Sequence, residues 1–141
     1  MANGISDAAN SSVLNHMFAT GTYAKPTGHK LRLYKGAIDE SNLTTNHVSD
    51  TVDDTAYAPQ TITFANEGAT TNNRVYNNAI VTFPAVVYGS GAAAYTVTHA
   101  AIVDGSSNIL AYGALPTSVE RLVGEPLAFN VGALYIEMVR T

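Results

Sequence analysis

The sequence predicts an all-β fold, an antiparallel β-sandwich or jelly roll with one short helix at the N-terminus. Three observations carry this reading. About eight or nine short apolar runs alternate with period two. Turn residues separate them roughly every eight to twelve positions, the spacing of a sandwich or jelly roll. Helical period shows only within residues 6 to 18. At 141 residues the chain is one domain by size. Such a domain buries about two-thirds of its unfolded surface, enough for a core without staples. No internal repeat and no Pro- or Ser-rich linker divides it. The expected organisation is a helical arm over residues 1–20 and a β-sandwich over residues 21–141.

The helix comes first. Ser6 or Asp7 can cap it, because a side-chain oxygen there accepts an otherwise orphan N–H. Ile5, Ala9 and Val13 lie four apart, as do Leu14 and Phe18, so an apolar stripe runs along one face. Gly21 suits the exit. A helix this short is unstable alone and must dock on its own domain or on a neighbour.

The strands follow. In His29 to Tyr34, Leu31 and Leu33 point one way and Lys30, Arg32 and Tyr34 the other. Lys35 to Thr55 is polar, aperiodic and acidic, a loop long enough to be functional or partly disordered. Tyr57 to Ala65 alternates again, with Ile62 and Phe64 on one side. Glu67 to Asn73 is a turn-rich link. Arg74 to Asn77 and Ala79 to Phe83 are two short runs, ended by Pro84, which cannot donate to a ladder.

Tyr95 to Asp104 is the strongest strand, with Tyr95, Val97, His99 and Ala101 expected on one face. Asp104 to Asn108 turns, and Ile109 to Leu115 returns as a hairpin. Pro116 to Val123, Leu127 to Val131 and Leu134 to Val139 complete the set. The expected core contains Leu31, Leu33, Ile62, Phe64, Val97, Ile102, Leu110, Phe129, Leu134 and Ile136.

Composition narrows the function. Hydrophobic residues make up 46%, but charged residues only 13%, about half the usual share. Such a surface, rich in Thr, Asn and Ala, suits packing against other protein. It equally suits an ordinary β surface. The net charge is −4 and the seven Lys and Arg are scattered, so the basic footprint of nucleic-acid binding is missing. The absence of cysteine excludes disulfides, thiol catalysis and Cys-ligated zinc. No run approaches the ~18 apolar residues of a membrane helix. The first residues lack a basic segment followed by a continuous apolar one, so a secretory signal is not expected and synthesis in the cytoplasm is.

No reactive constellation stands out. His16, His29, His47 and His99 are not at metal-ligand spacing. Asp50, Asp53 and Asp54 miss the calcium-loop pattern, and read as a solvated acidic loop. Asp39-Glu40 has no facing carboxylate visible in sequence. Gly89-Ser90-Gly91 is too short for a phosphate loop. The serines lack a nucleophile-elbow context. The expectation is a non-enzyme with no cofactor and no metal. Eight tyrosines and no tryptophan supply large apolar faces with polar tips, which serve subunit interfaces, sugar-binding surfaces and core edges alike.

Several segments in order carry a resemblance. They are Val13-Leu14-Asn15-His16-Met17-Phe18, then Tyr23, Leu31-Arg32-Leu33-Tyr34, Ala79-Ile80-Val81-Thr82-Phe83-Pro84 and Thr96-Val97-Thr98-His99. Asn108-Ile109-Leu110-Ala111-Tyr112-Gly113-Ala114-Leu115 follows, and Gly124-Glu125-Pro126-Leu127-Ala128-Phe129 with Gly132-Ala133-Leu134-Tyr135-Ile136 closes the set. In this order the chain resembles a family of small β-rich virion proteins of tailed bacteriophages. Its members are labelled head decoration (cement) proteins, or tail-fibre and minor tail proteins. The resemblance covers most of the chain, except Lys35 to Thr55. Tyr95 stands where the family often has Trp, and Ala100 and Ala101 where an aromatic is common.

The resemblance implies a β-sandwich, often trimeric, on the outside of the virion, with no catalytic residue to carry over. The first expectation is an outer-capsid decoration protein that bridges capsomers, with itself and the major capsid protein as partners. The alternative is a tail-fibre or receptor-binding module that reads a host glycan. Candidate partner-binding residues are Val13, Leu14, Met17, Phe18, Tyr95, His99 and Tyr112. Two roles for the helix remain open: attachment element, or plug at the open end of its own sandwich.

Overall fold

One hairpin organises the molecule. Its turn is built by Asp104, whose Oδ1 accepts from the Ser106 and Asn108 N–H groups, each at 2.9 Å, while Oδ2 takes the Asn108 side-chain amide. Ser107 completes the turn at φ 65°. The turn joins the two longest strands, β7 (Tyr95–Val103) and β8 (Ile109–Arg121). In the computed structural model, which describes residues 4–67 and 74–137, these are the centre of a five-stranded antiparallel sheet.

The sheet runs in the order β1-β8-β7-β2-β3, with β1 Gly4–Ile5, β2 Lys30–Tyr34 and β3 Gln60–Thr61. The helix α1, Asp7–Phe18, lies between β1 and β2 in the chain. A three-stranded sheet follows the order β10-β5-β4, from β10 (Tyr135–Glu137), β5 (Arg74–Asn77) and β4 (Phe64–Asn66). A two-stranded sheet pairs β6 (Val81–Phe83) with β9 (Leu127–Phe129). The fold is all-β with one short N-terminal helix, as the periodicity predicts.

The main core lies between one face of the large sheet and the two smaller sheets. Leu31, Leu33, Val97 and Ile102 meet Val81 and Phe83, and Phe64, Phe129, Leu134 and Ile136 pack around them. Phe83 stacks on Tyr57 with centroids 5.8 Å apart and meets Phe129 edge-on. Asn77 is fully buried and fully used. Its amide donates to the Ala79 and Asn130 carbonyls, and its oxygen accepts from Leu134 N–H. That one side chain ties β5 to the approach of β10.

Two strand irregularities correct the sequence reading. The β7–β8 register passes from Val97↔Val119 to His99↔Ala114. Thr98 is therefore opposed by the four residues Leu115 to Ser118. The extra residues lie in β8, and across this irregularity the alternation of β7 reverses. Tyr95 and Val97 consequently share the core face with Ala100 and Ile102, whereas His99 and Ala101 face the other way. The second irregularity lies at Leu110. Ala111 pairs with Ile102 and Ile109 with Val103, so Leu110 is the unpaired bulge residue. It is half-buried, and the buried places belong to Ile109 and Ala111.

The opposite face of the large sheet is covered in part by the acidic segment. Ile38 and Leu43 pack with Tyr34, Ala101, Val103 and Ile109 in a second, smaller core. Tyr34 Oη donates to the Leu43 carbonyl at 3.2 Å. The aspartates have separate tasks. Asp53 pairs with Lys35 at 2.9 Å and caps Ser49 N–H. Asp54 is buried, and accepts from Ala56 N–H, Val87 N–H and Tyr95 Oη. Asp54 is therefore a structural acceptor rather than part of a solvated loop.

Candidate binding surface

The arm is anchored at its root and bare along its length. Gly4 and Ile5 pair with Tyr112 and Ala111 of β8. The next residue, Ser6, is buried. Its N–H donates to the Leu110 carbonyl at 2.9 Å, and its hydroxyl donates to the Ile109 carbonyl at 2.6 Å. The bulge at Leu110 thus presents two successive carbonyls to one serine. The same hydroxyl accepts from Ala9 N–H at 3.2 Å and serves as the N-cap.

Glu40 adds a second hold. Its carboxylate accepts from Asp7 N–H at 2.9 Å, at the positive end of the helix dipole. It also hydrogen-bonds Tyr112, and this bond, together with partial burial and the negative charge beside it, pushes the phenol up to about 12.

Beyond this root no helical residue is buried. Val13 is 38% exposed, Leu14 55%, Met17 63% and Phe18 78%. Of the apolar stripe read from the sequence, Ile5 belongs to β1 and is half-buried, as is Ala9, whereas Val13, Leu14 and Phe18 face solvent. The helix does not plug its own sandwich.

The remaining candidates fall in three places. Tyr112 sits at the root of the arm, bound to Glu40. His99 faces outward beside Tyr34, with Nδ1 2.7 Å from Thr98 Oγ1, and burial holds its pKa below the usual imidazole value. Tyr95 lies in the core at 6% exposure, its phenol pushed up to about 12 mainly by burial. A partner cannot reach it. Its ring completes the core face and its hydroxyl serves Asp54. Sequence could not reveal this, because Asp54 is 41 positions away.

An open apolar groove was not foreseen. It has a volume of about 390 Å³ and runs between β8 and β10. Phe64, Ile102, Leu115, Pro116, Leu134 and Ile136 are among its lining residues, together with Gly4, Ala111 and Tyr112 at the root of the arm. The four-residue excursion at Leu115 to Ser118, which carries β8 out of regular pairing, begins at one part of its lining. A second exposed apolar group, Val87, Leu122 and Val123, gathers where Val86 bridges Val123. Among the described residues no three His, Asp or Glu converge into a set that could hold a metal.

Residues 4–137, which run from β1 through β10, match the family model of the podophage GP4 fiber I protein gp80. The chain belongs to this family. Family membership makes it a structural protein of the phage particle, of fibre type. The resemblance to tailed-phage virion proteins is thus correct at the level of the virion, and the family is described by a fibre. No curated protein matches the chain.

Proposed function

We propose that this chain is a non-catalytic building unit of a podophage fibre, associating with copies of itself, as a homotrimer, and with neighbouring virion proteins. The match to a fibre-protein family over residues 4–137 carries this reading. The surface supports it. A helix with four exposed apolar side chains and an open apolar groove are features of a subunit that completes itself by association. The hydrogen bonds of Ser6, Glu40 and Asp54 all have structural roles, which leaves the chemistry of the molecule directed at holding shape. In this reading residues 1–20 act as an arm rooted in the sheet of the remaining domain.

Cryo-electron microscopy of the virion, with immunogold labelling against this chain, tests the proposal. Density at tail fibres, in a small number of copies, is the expected result. Hundreds of copies over the head would instead favour outer-capsid decoration, with the major capsid protein as partner, and would overturn the fibre reading. Absence from purified virions would overturn both.

A further inference from the structure

We propose that residues 35–55 form a strap that His47, in its neutral form, latches to the outer face of the large sheet, and that mild acid releases it. Backbone register places the latch. Lys35 N–H donates to the Asn46 carbonyl at 2.7 Å, and Val48 N–H donates to the Leu33 carbonyl at 3.1 Å. Between these bonds Tyr34 and His47 stand directly opposite each other, in the non-hydrogen-bonded pairing where side chains approach most closely. Arg32, two residues before Tyr34 on β2, shares that face and lies diagonal to His47. His99 of β7 opposes Tyr34 from the other side.

The surroundings of His47 suit an uncharged ring. Its Nδ1 is buried with no hydrogen-bond partner among the described residues, and so is Arg32 Nε. A protonated imidazole carries an N–H on both nitrogens. Proton uptake therefore leaves a buried donor with no acceptor and sets a second positive charge beside Arg32. Charges on the strap divide. Asp50 and Asp53 favour the cation and Lys35 opposes it, but Asp53 is already engaged by Lys35 Nζ and Ser49 N–H. Burial first, and Arg32 second, hold His47 below the usual imidazole value. Burial does the same to His99, and raises the Tyr34 phenol, which stays neutral throughout. The stabilising contribution of His47 is thus fully present above the ordinary imidazole value of 6.5 and is lost as pH falls toward the lowered folded value.

Release acts at two places. Ile38 and Leu43 ride on the strap and cover Tyr34, Ala101, Val103 and Ile109, so its departure uncovers an apolar face of the sheet. Glu40, also on the strap, accepts from Asp7 N–H and hydrogen-bonds Tyr112. The same step therefore removes one hold on the root of the arm, while β1 and Ser6 keep their own bonds to β8.

Nuclear magnetic resonance of the full chain tests the latch. Amide exchange at Lys35 and Val48, corrected for the intrinsic effect of pH, is compared at about pH 7.5 and about pH 5. Protection at these two amides should fall at least about threefold relative to amides at the centre of the β7–β8 pairing. The same comparison in a folded His47→Gln variant should show no such fall, whereas His99→Gln should keep it. In the wild type the His47 ring should titrate below the ordinary imidazole value. An equal fall in His47→Gln, no differential fall in the wild type, or a His47 ring that titrates at or above its ordinary value each overturns the proposal. If His47→Gln does not fold, the wild-type exchange and titration decide alone.

Discussion

Removing one oxygen from Tyr95 tests how the core holds a buried carboxylate. Asp54 is 1% exposed. Its Oδ1 takes two backbone N–H groups at 3.0 Å, and its Oδ2 takes the Tyr95 hydroxyl at 2.9 Å. Arg121, also buried, hydrogen-bonds Tyr95 and donates through Nη2 to the Pro84 carbonyl at 3.0 Å. Tyr95→Phe keeps the ring in its place and deletes both the donor to Asp54 and the acceptor of Arg121. A hydrogen bond to a charged group contributes about 1.5–3 kcal/mol, and a buried acceptor that loses its partner keeps its desolvation cost. The expected destabilisation is therefore about 2 kcal/mol at neutral pH. For a chain of this length that lowers Tm by roughly 6 °C.

The pH profile adds an independent sign. The folded Tyr95 phenol is raised to about 12, above its ordinary value of 10.0. The neutral form is thus favoured on folding. This contribution is fully present below pH 10 and is lost as pH rises toward 12. The variant should lose less stability than wild type across that window. Urea unfolding at pH 7 and at intervals to pH 11 measures both effects, with the exposed Tyr135→Phe as control. If Tyr95→Phe unfolds within about 0.5 kcal/mol of wild type, the carboxylate does not depend on this hydroxyl and the reasoning is wrong.

Three further outcomes are expected. Ser6→Ala removes the N-cap and the bond to the Ile109 carbonyl, and should cost about 1–2 kcal/mol with loss of helical signal at 222 nm. Glu40→Gln removes the negative acceptor of Tyr112, so an ultraviolet titration of the phenols should show one tyrosine ionising closer to its ordinary pH, and unchanged titration would refute the pairing. Gly89→Ala places a methyl group 2.3 Å from the Thr51 carbonyl oxygen; backbone must move, and chemical denaturation should show a loss of about 1–3 kcal/mol.

Much of the fold was legible because strands and helix each carry their own period. Leu31 and Leu33, Ile62 and Val97 sit in the core as alternation predicts. Ser6 caps the helix as its side chain allows. The errors in strand facing share one cause. Irregularities where Thr98 opposes Leu115 to Ser118 and at Leu110 shift alternation by one residue, and no side chain there announces them. The long strand β8 runs on past Pro116, where the sequence suggested a boundary, because the excursion there absorbs a residue without an N–H. The binding surface was half legible. The stripe on α1 follows from spacing, but its solvent exposure depends on Ser6, Glu40 and β8 meeting across 33 or more positions. The groove arises from a gap between two strands that are not neighbours in sequence.

Pro116 has a consequence for the life of the particle. A fibre component is made in quantity within an infected cell, where open sheet margins can stack indefinitely into aggregates. Beyond Tyr112, no described strand pairs with the outer side of β8. A proline has no amide hydrogen to offer an incoming strand, and the excursion around it breaks the spacing that continuous zippering requires. Growth by backbone pairing is discouraged at the very margin where the apolar groove opens. Contacts at this margin are therefore left to side chains, so crowding during synthesis favours finite assembly over uncontrolled fibrillation.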